Sequence, residues 1–264
     1  KHDADEALER SGLDGTIVRA DGTISSRTRS ALARVEDAGS WLVLVTGRPP
    51  RWLGSIADET GHRGLAICSN GALLYDLHTE RVVESDLLTP QQLVELSEAL
   101  RADLPELFFG VEYGDWFAHE AGYPVRWPTS DDRAVEPADL FARPAAKLLA
   151  RHLSMDPDAL LERTRSVAGH LAEFTHSSRD GLIEITAPGV SKATALARFC
   201  ASRGVPAAAV LAFGDMPNDL PMLAWAGQSY AMGNAHPQVR AAVSRVAPSV
   251  DEDGVARILE TIFQ

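Results

Sequence analysis

Short apolar runs that stop abruptly at Gly, Asp, Thr or Ser constrain this chain more than any other feature. Trp41-Leu42-Val43-Leu44-Val45 ends at Thr46-Gly47-Arg48-Pro49, Leu65-Ala66-Ile67-Cys68 ends at Ser69-Asn70-Gly71, and Ala208–Phe213 ends at Gly214-Asp215. Apolar residues in unbroken sequence predict strands buried on both faces, as in a parallel sheet covered by helices. The intervening segments have helical spacing. Ser26–Ala38 places Ala31, Leu32 and Val35 on one side, a helix is expected from Pro49 through residue 59, and Ser191–Arg203 is amphipathic. Leu220–Ala226 and Pro237–Ala242 read as helices, Gln228–Met232 as a strand, and Val250–Ile262 as containing a final helix. Strand and helix in alternation predict an α/β fold.

The middle of the chain has a different pattern. Arg81–Leu87, Leu107–Tyr113, Trp116–Glu120, Ala146–His152, Leu171–His176 and Leu182–Thr186 read as strands. Several alternate apolar with polar, which suits a sheet with one wet face. Helices are expected at 90–103 and 156–167, starting at the cap-like pairs Thr89-Pro90 and Asp156-Pro157. The expected organisation is an α/β core over 1–77 and 189–264, split by an α+β domain over 78–188.

Ligands of an open parallel sheet collect at the carboxyl ends of its strands. Four polar clusters sit at or beside such ends: Leu13-Asp14-Gly15-Thr16, Thr46-Gly47-Arg48, Ser191-Lys192 and Gly214–Asp219. Asp215 and Asp219 face each other across a turn containing Pro217 and Asn218. Two close carboxylates call for a compensating cation, and oxygen ligands suit Mg2+. Thr46 and Gly47, where a strand is expected to enter a helix, offer N–H groups and a hydroxyl to a phosphate. Lys192 can add an ammonium. Each cluster alone also reads as an ordinary turn, helix cap or surface lysine; their coincidence is what points to phosphate chemistry.

In this order, the phrases Leu13-Asp14-Gly15-Thr16, Val45-Thr46-Gly47-Arg48-Pro49, Ser69-Asn70-Gly71-Ala72, Gly189-Val190-Ser191-Lys192, Phe213–Asp219 and Ala231-Met232-Gly233-Asn234-Ala235 resemble the haloacid dehalogenase (HAD) superfamily. The placement of the insert resembles its large-cap, Cof-type branch of phosphatases. The resemblance implies a Rossmann-like parallel-sheet core with an inserted α+β cap, and a Mg2+-dependent phosphatase of small phosphorylated metabolites such as sugar phosphates. It implies that Asp14 is the general acid/base and also binds the metal through its backbone carbonyl. Asp215 would bind Mg2+ directly and Asp219 would support it. Thr46 and Lys192 would hold the transferring phosphoryl group, with Gly47, Arg48, Asn70 and Asn218 in the phosphate and substrate site.

The resemblance also implies an aspartate nucleophile two residues before Asp14, on an apolar first strand. Gly12 stands there, and Ala7-Leu8-Glu9-Arg10-Ser11 carries charge where burial is expected; Asp3-Ala4-Asp5 has the carboxylate spacing without the strand. Glycine cannot form an aspartyl-phosphate. Two alternatives therefore accompany the phosphatase reading: a protein that binds Mg2+ and phosphate esters without turnover, and a phosphosugar mutase.

The formal net charge of −12 argues against a general nucleic-acid partner. The two cysteines, Cys68 and Cys200, suit buried thiols in a reducing compartment. There is no apolar run of membrane-spanning length, and Lys1–Glu6 is unlike a secretory signal. The expected setting is cytoplasmic, as a monomer or homodimer. Tyr113, Trp116, His119, Tyr123, Arg126 and Trp127, with His176 and Arg179, are open between pocket lining and ordinary packing.

Overall fold

The computed structural model describes residues 13–125, 132–178 and 180–263. Gly12 and everything before it, Arg126, Trp127 and Arg179 lie outside the described residues, so the sequence expectations on them are not addressed by the fold.

The first α/β section opens with helix α1 (Ser26–Asp37), which buries Thr28, Ala31, Leu32 and Val35. Ser25 caps it by accepting a hydrogen bond from the Thr28 N–H. Strand β1 (Leu44–Val45), helix α2 (Gly54–Thr60) and strand β2 (Leu65–Cys68) follow, with β1 and β2 parallel in the register Leu44 to Ala66 and Val45 to Ile67. Strands β3 (Leu73–Asp76) and β4 (Arg81–Ser85) then extend the sheet antiparallel, in the order β1-β2-β3-β4. β4 therefore pairs with the first section's sheet, although the sequence reads it with the middle zone.

The insert contains α3 (Pro90–Asp103), β5 (Phe108–Glu112), β6 (Phe117–His119), β7 (Asp132–Ala134), α4 (Pro137–Leu140), β8 (Lys147–Arg151), α5 (Pro157–Ala168), β9 (Glu173–Thr175) and β10 (Leu182–Thr186). Its sheet has the order β7-β6-β5-β8-β10-β9. Thr89 starts α3 with a reciprocal capping box to Gln92, and Asp156 caps α5 by accepting from the Asp158 and Ala159 N–H groups. The wet face expected of β10 is not there: all five of its residues are buried, as are all five of β8. Glu184 can be buried because its oxygens find partners, described below.

The chain returns to the core with α6 (Lys192–Ala201), β11 (Leu211–Gly214), α7 (Leu220–Trp225), β12 (Gln228–Ala231), α8 (Pro237–Ala242) and α9 (Gly254–Ile262). β11 and β12 pair in parallel. The whole is an α/β core carrying an inserted α+β unit. Among the described residues, β1 and β11 belong to separate sheets, and an apolar cavity of about 390 Å3 is lined by Trp41–Val45 on one side and Val210–Phe213 on the other. β1 pairs with β2 at Leu44 and Val45 alone, so the strand expected over Trp41–Val45 is two residues long.

Candidate active site

Hydrogen bonds join all four polar clusters into one buried ring. The Arg48 guanidinium grips both oxygens of Asp14, with Nε 2.8 Å from Oδ2 and Nη2 on Oδ1. Two residues on, the Thr16 hydroxyl donates to Asp215 Oδ1 at 3.2 Å. The backbone N–H groups of Asp215 and Met216 both donate to Asp219 Oδ2, at 3.0 and 3.1 Å. The other Asp219 oxygen accepts from Lys192 Nζ at 2.7 Å. Asn218 Nδ2 donates to Asn70 Oδ1 at 3.0 Å, and the Asn70 N–H closes the ring on the Thr46 carbonyl at 3.0 Å.

Local backbone chemistry explains how these side chains arrive. Lys192 is the first residue of α6, whose N-cap Ser191 accepts from the Thr194 N–H; this sets the lysine at the cluster end of the helix, only 1% exposed. Gly15 has a φ of +77°, and a Cβ there would lie 2.3 Å from Asp215 Oδ2, so only glycine lets the Asp14 loop come this close. Gly71 has a φ of +105° and sits where a Cβ would meet the Ser191 carbonyl at 2.3 Å. Ser69 and Asn70 before it hold left-handed φ values of 50° and 57°. Such backbone is sparsely populated, Asn tolerates it better than most, and it concentrates at functional sites.

The Thr46–Gly47 helix entry expected from sequence does not form. Thr46 Oγ1 instead accepts from the Arg48 N–H at 3.0 Å, Pro49 is extended at ψ 158°, and the chain makes a short 3₁₀ turn at Pro50–Trp52 before α2 begins at Gly54. The residue before a proline is driven out of the helical region, and Pro49-Pro50 places that restriction directly after Arg48. A helix N-terminus is thus not the source of any anion affinity at Thr46. The cations beside it are Arg48, Lys192 and one that sequence reasoning missed.

That cation is Lys147, on β8. Its Nζ donates to the Gly47 carbonyl at 2.8 Å and to Glu184 Oε2 at 2.7 Å. Glu184 Oε2 also accepts from Asn70 Nδ2 at 2.8 Å, and the Ser177 hydroxyl donates to Oε1. Burial alone would raise the Glu184 pKa, but the charge and hydrogen bond of Lys147 outweigh it and hold the carboxyl below its usual range. This network ties the insert to the Thr46 and Asn70 loops. A charged residue alternating in a strand reads as a solvent face; only the partners, far away in sequence, reveal it as interior. A second tie, also missed, is the bidentate Arg51–Glu112 pair at 2.5 and 2.8 Å.

The donor set fits a hard divalent cation. Burial, with the neighbouring Asp219 charge, pushes the Asp215 carboxyl up to about 8 despite Lys192 and Thr16. A carboxylate this unfavourable to ionise is one that a cation would relieve. Asp219 differs: its oxygens are engaged by Lys192 and two backbone N–H groups, so it orients the loop. Among the described residues, Arg48 Nη1, Ser69 Oγ and Asn218 Oδ1, beside the ring, are buried with no hydrogen-bond partner. Buried polar atoms are almost always satisfied, so these three mark where a polar ligand would sit. Of the aromatic stretch, Tyr113 stacks on Trp116 with centroids 4.8 Å apart, and Phe117, His119 and Tyr123 pack together. These rings are engaged with one another.

A split α/β core, an insert after the second cluster and this carboxylate–lysine ring define a class. The chain belongs to the haloacid dehalogenase-like hydrolase family, which matches residues 11–259. It is 27% identical over 262 residues to the 5-amino-6-(5-phospho-D-ribitylamino)uracil phosphatase of Bacillus subtilis strain 168, spanning 95% of both chains. It is also 27% identical to the pyridoxal phosphate phosphatase of Escherichia coli K12, over 94% of this chain and 95% of that protein. Among solved structures, a phosphatase of the same superfamily from Bacteroides thetaiotaomicron superposes with a TM-score of 0.79 at 25% identity, covering 94% of this chain and 92% of the other.

Proposed function

We propose that this protein handles small phosphomonoesters, sugar phosphates among them, in a Mg2+-dependent phosphatase site built from the ring of four clusters. The observation that carries the reading is that ring: Asp14, Thr46, Lys192, Asn218 and Asp215 arrive from four separate segments at one buried place, with orphaned polar atoms on Arg48, Ser69 and Asn218 beside them. The two curated relatives, named for their action on a phosphoribityl compound and on pyridoxal phosphate, support the substrate class.

In this reading Asp215 is the direct metal ligand, the Asp14 carbonyl a second, and Asp219 the support that positions Asp215. The metal supplies charge neutralisation on the phosphate oxygens when bound. Thr46 and Lys192 hold the phosphoryl group and offset its charge. Asp14 delivers and removes the proton at the ester oxygen; it must first leave the Arg48 fork, and a substrate phosphate is the natural competitor for that guanidinium. Lys147, Glu184 and Asn70 set how the insert closes as a cap over the site. Free, buried Cys68 and Cys200 accord with a cytoplasmic setting, and among the described residues no helix is long and apolar enough to cross a membrane.

Gly12 governs turnover. Without a carboxylate there, the aspartyl-phosphate route is closed, and the chain holds metal and ester with little hydrolysis. Release of phosphate from a panel of phosphomonoesters, with and without Mg2+, tests this. Gly12→Asp is expected to raise Mg2+-dependent release at least about 100-fold, the scale of supplying a missing nucleophile. No release by Gly12→Asp on any ester would sink the phosphatase reading. Binding of esters that persists without release in that variant would leave the non-catalytic binder as the function.

A further inference from the structure

We propose that Asp158, His176 and His236 form a second metal site, selective for a borderline transition-metal dication such as Zn2+, that fastens the insert to the core. The inference does not depend on the phosphatase reading.

The three residues come from separate elements. Asp158 lies in the first turn of α5, His176 follows β9, and His236 precedes α8 on the core side. One ligand atom from each lies within 4.8 Å of the others. His176 Nε2 is 2.7 Å from Asp158 Oδ1, His236 Nε2 is 3.6 Å from Asp158 Oδ2, and the imidazole centroids are 5.8 Å apart. Ligand atoms on one tetrahedral Zn2+ stand about 3.3 Å apart, so side-chain adjustments of about 1 Å complete the triangle.

The tautomer of His176 is settled by its other nitrogen. Nδ1 is 3.1 Å from the Ser178 carbonyl, which can only accept, so Nδ1 carries the hydrogen. That leaves the Nε2 position facing a carboxylate at hydrogen-bond distance, and a positive centre must lie between them: a proton or a metal ion. For His176, a backbone carbonyl holding Nδ1–H so that Nε2 points at the metal is the arrangement of metal-ligating histidines. His236 differs: its Nδ1 accepts from the Gln238 N–H at 3.3 Å, so its Nε2 carries the hydrogen in the metal-free chain, and ligation moves that hydrogen to Nδ1 at the loss of the Gln238 contact. The His176 side chain is fully buried, so its orientation is fixed by packing. Two imidazoles and one carboxylate suit Zn2+ or Co2+, whereas Mg2+ prefers an all-oxygen set. The chemistry thus separates this site from the carboxylates at Asp215.

The consequence is mechanical. The His236 N–H donates to the Asp215 carbonyl at 2.7 Å, so a metal on His236 braces the loop carrying Asp215 while Asp158 and His176 hold the insert in place.

The test is Zn2+ and Co2+ titration of the full chain in excess Mg2+, with equilibrium dialysis and visible spectroscopy. One equivalent of Zn2+ is expected to bind and raise the Tm, and Co2+ is expected to give the intense visible bands of a tetrahedral site. His176→Gln should weaken Zn2+ binding about 100-fold or more, since even outer partners of a metal site are worth 10–100-fold, and His236→Gln should do the same. Absence of stoichiometric Zn2+ and of Co2+ bands in the unaltered chain would overturn the proposal and leave an imidazolium–carboxylate pair. Undiminished binding in both variants would overturn it equally. The unaltered chain carries the test even if a variant fails to fold.

Discussion

The insert and the core solve the same problem differently. The insert's sheet runs unbroken through six strands, and its central β8 is buried along its whole length. The described core strands fall into two sheets on either side of an apolar cavity. Yet the buried polar ring spans that divide, from Asp14 and Arg48 on one side to Asp215, Asp219 and Lys192 on the other. One apolar core runs through both sections, with α1 packed on α9, and the ring adds named side-chain contacts within and between the described core sheets.

Breaking those contacts should have the largest effect. Lys192→Met strands the Asp219 carboxylate at 0% exposure, and removing one partner of a buried pair is expected to cost about 3–5 kcal/mol in urea unfolding. A loss under 1 kcal/mol would mean that the Lys192–Asp219 pair does not brace the loop that carries Asp215. Next comes packing: Leu148→Ala, in the continuous sheet and fully buried, should cost about 2–5 kcal/mol. Leu211→Ala, half-buried on the cavity wall, should cost about 1 kcal/mol, because the residue has fewer neighbours to lose. Equal costs would erase the contrast between the sheets.

A pH effect should be opposite in sign to that of an ordinary paired aspartate. The Asp215 pKa is raised from 3.8 to about 8, chiefly by burial and then by Asp219. The folded chain keeps a proton that the unfolded chain has released. The contribution is therefore complete below about pH 4 and is lost as pH rises towards 8. Asp215→Asn should flatten this decline in metal-free protein, and Mg2+ should raise Tm more at pH 8 than at pH 5; a Tm gain independent of pH would argue against Asp215 as the ligand. The smallest effect belongs to the exposed Arg163–Asp103 pair: Arg163→Gln should leave the unfolding midpoint unchanged, since solvent screens such pairs.

Much of this was legible in the chain. The helices at Pro90–Asp103 and Pro137–Leu140 illustrate the limits: the first has a capping box, Pro at its start and sustained periodicity, while the second is a single turn with too few residues to show a period. β3 was not read from the sequence, although the Ser69-Asn70-Gly71 turn before it holds left-handed backbone at all three residues. At the site, Thr46-Gly47-Arg48 and Gly214–Asp219 could be read because each lies at a strand end, and Ser191-Lys192 because it opens a helix. Lys147, Glu184 and Ser177 could not, because charge within a strand signals solvent until its partners are known. The Asp14–Arg48 fork was equally invisible: nothing in the two segments says that the acid and the guanidinium would meet.

The most direct test of the central claim, that the ring is a hard-cation site centred on Asp215, is calorimetric titration of Mg2+ into the unaltered chain and into Asp215→Asn. One Mg2+ per chain, lost in the variant while its fold is retained by circular dichroism, is the predicted result. Equal Mg2+ binding by the two proteins would contradict it.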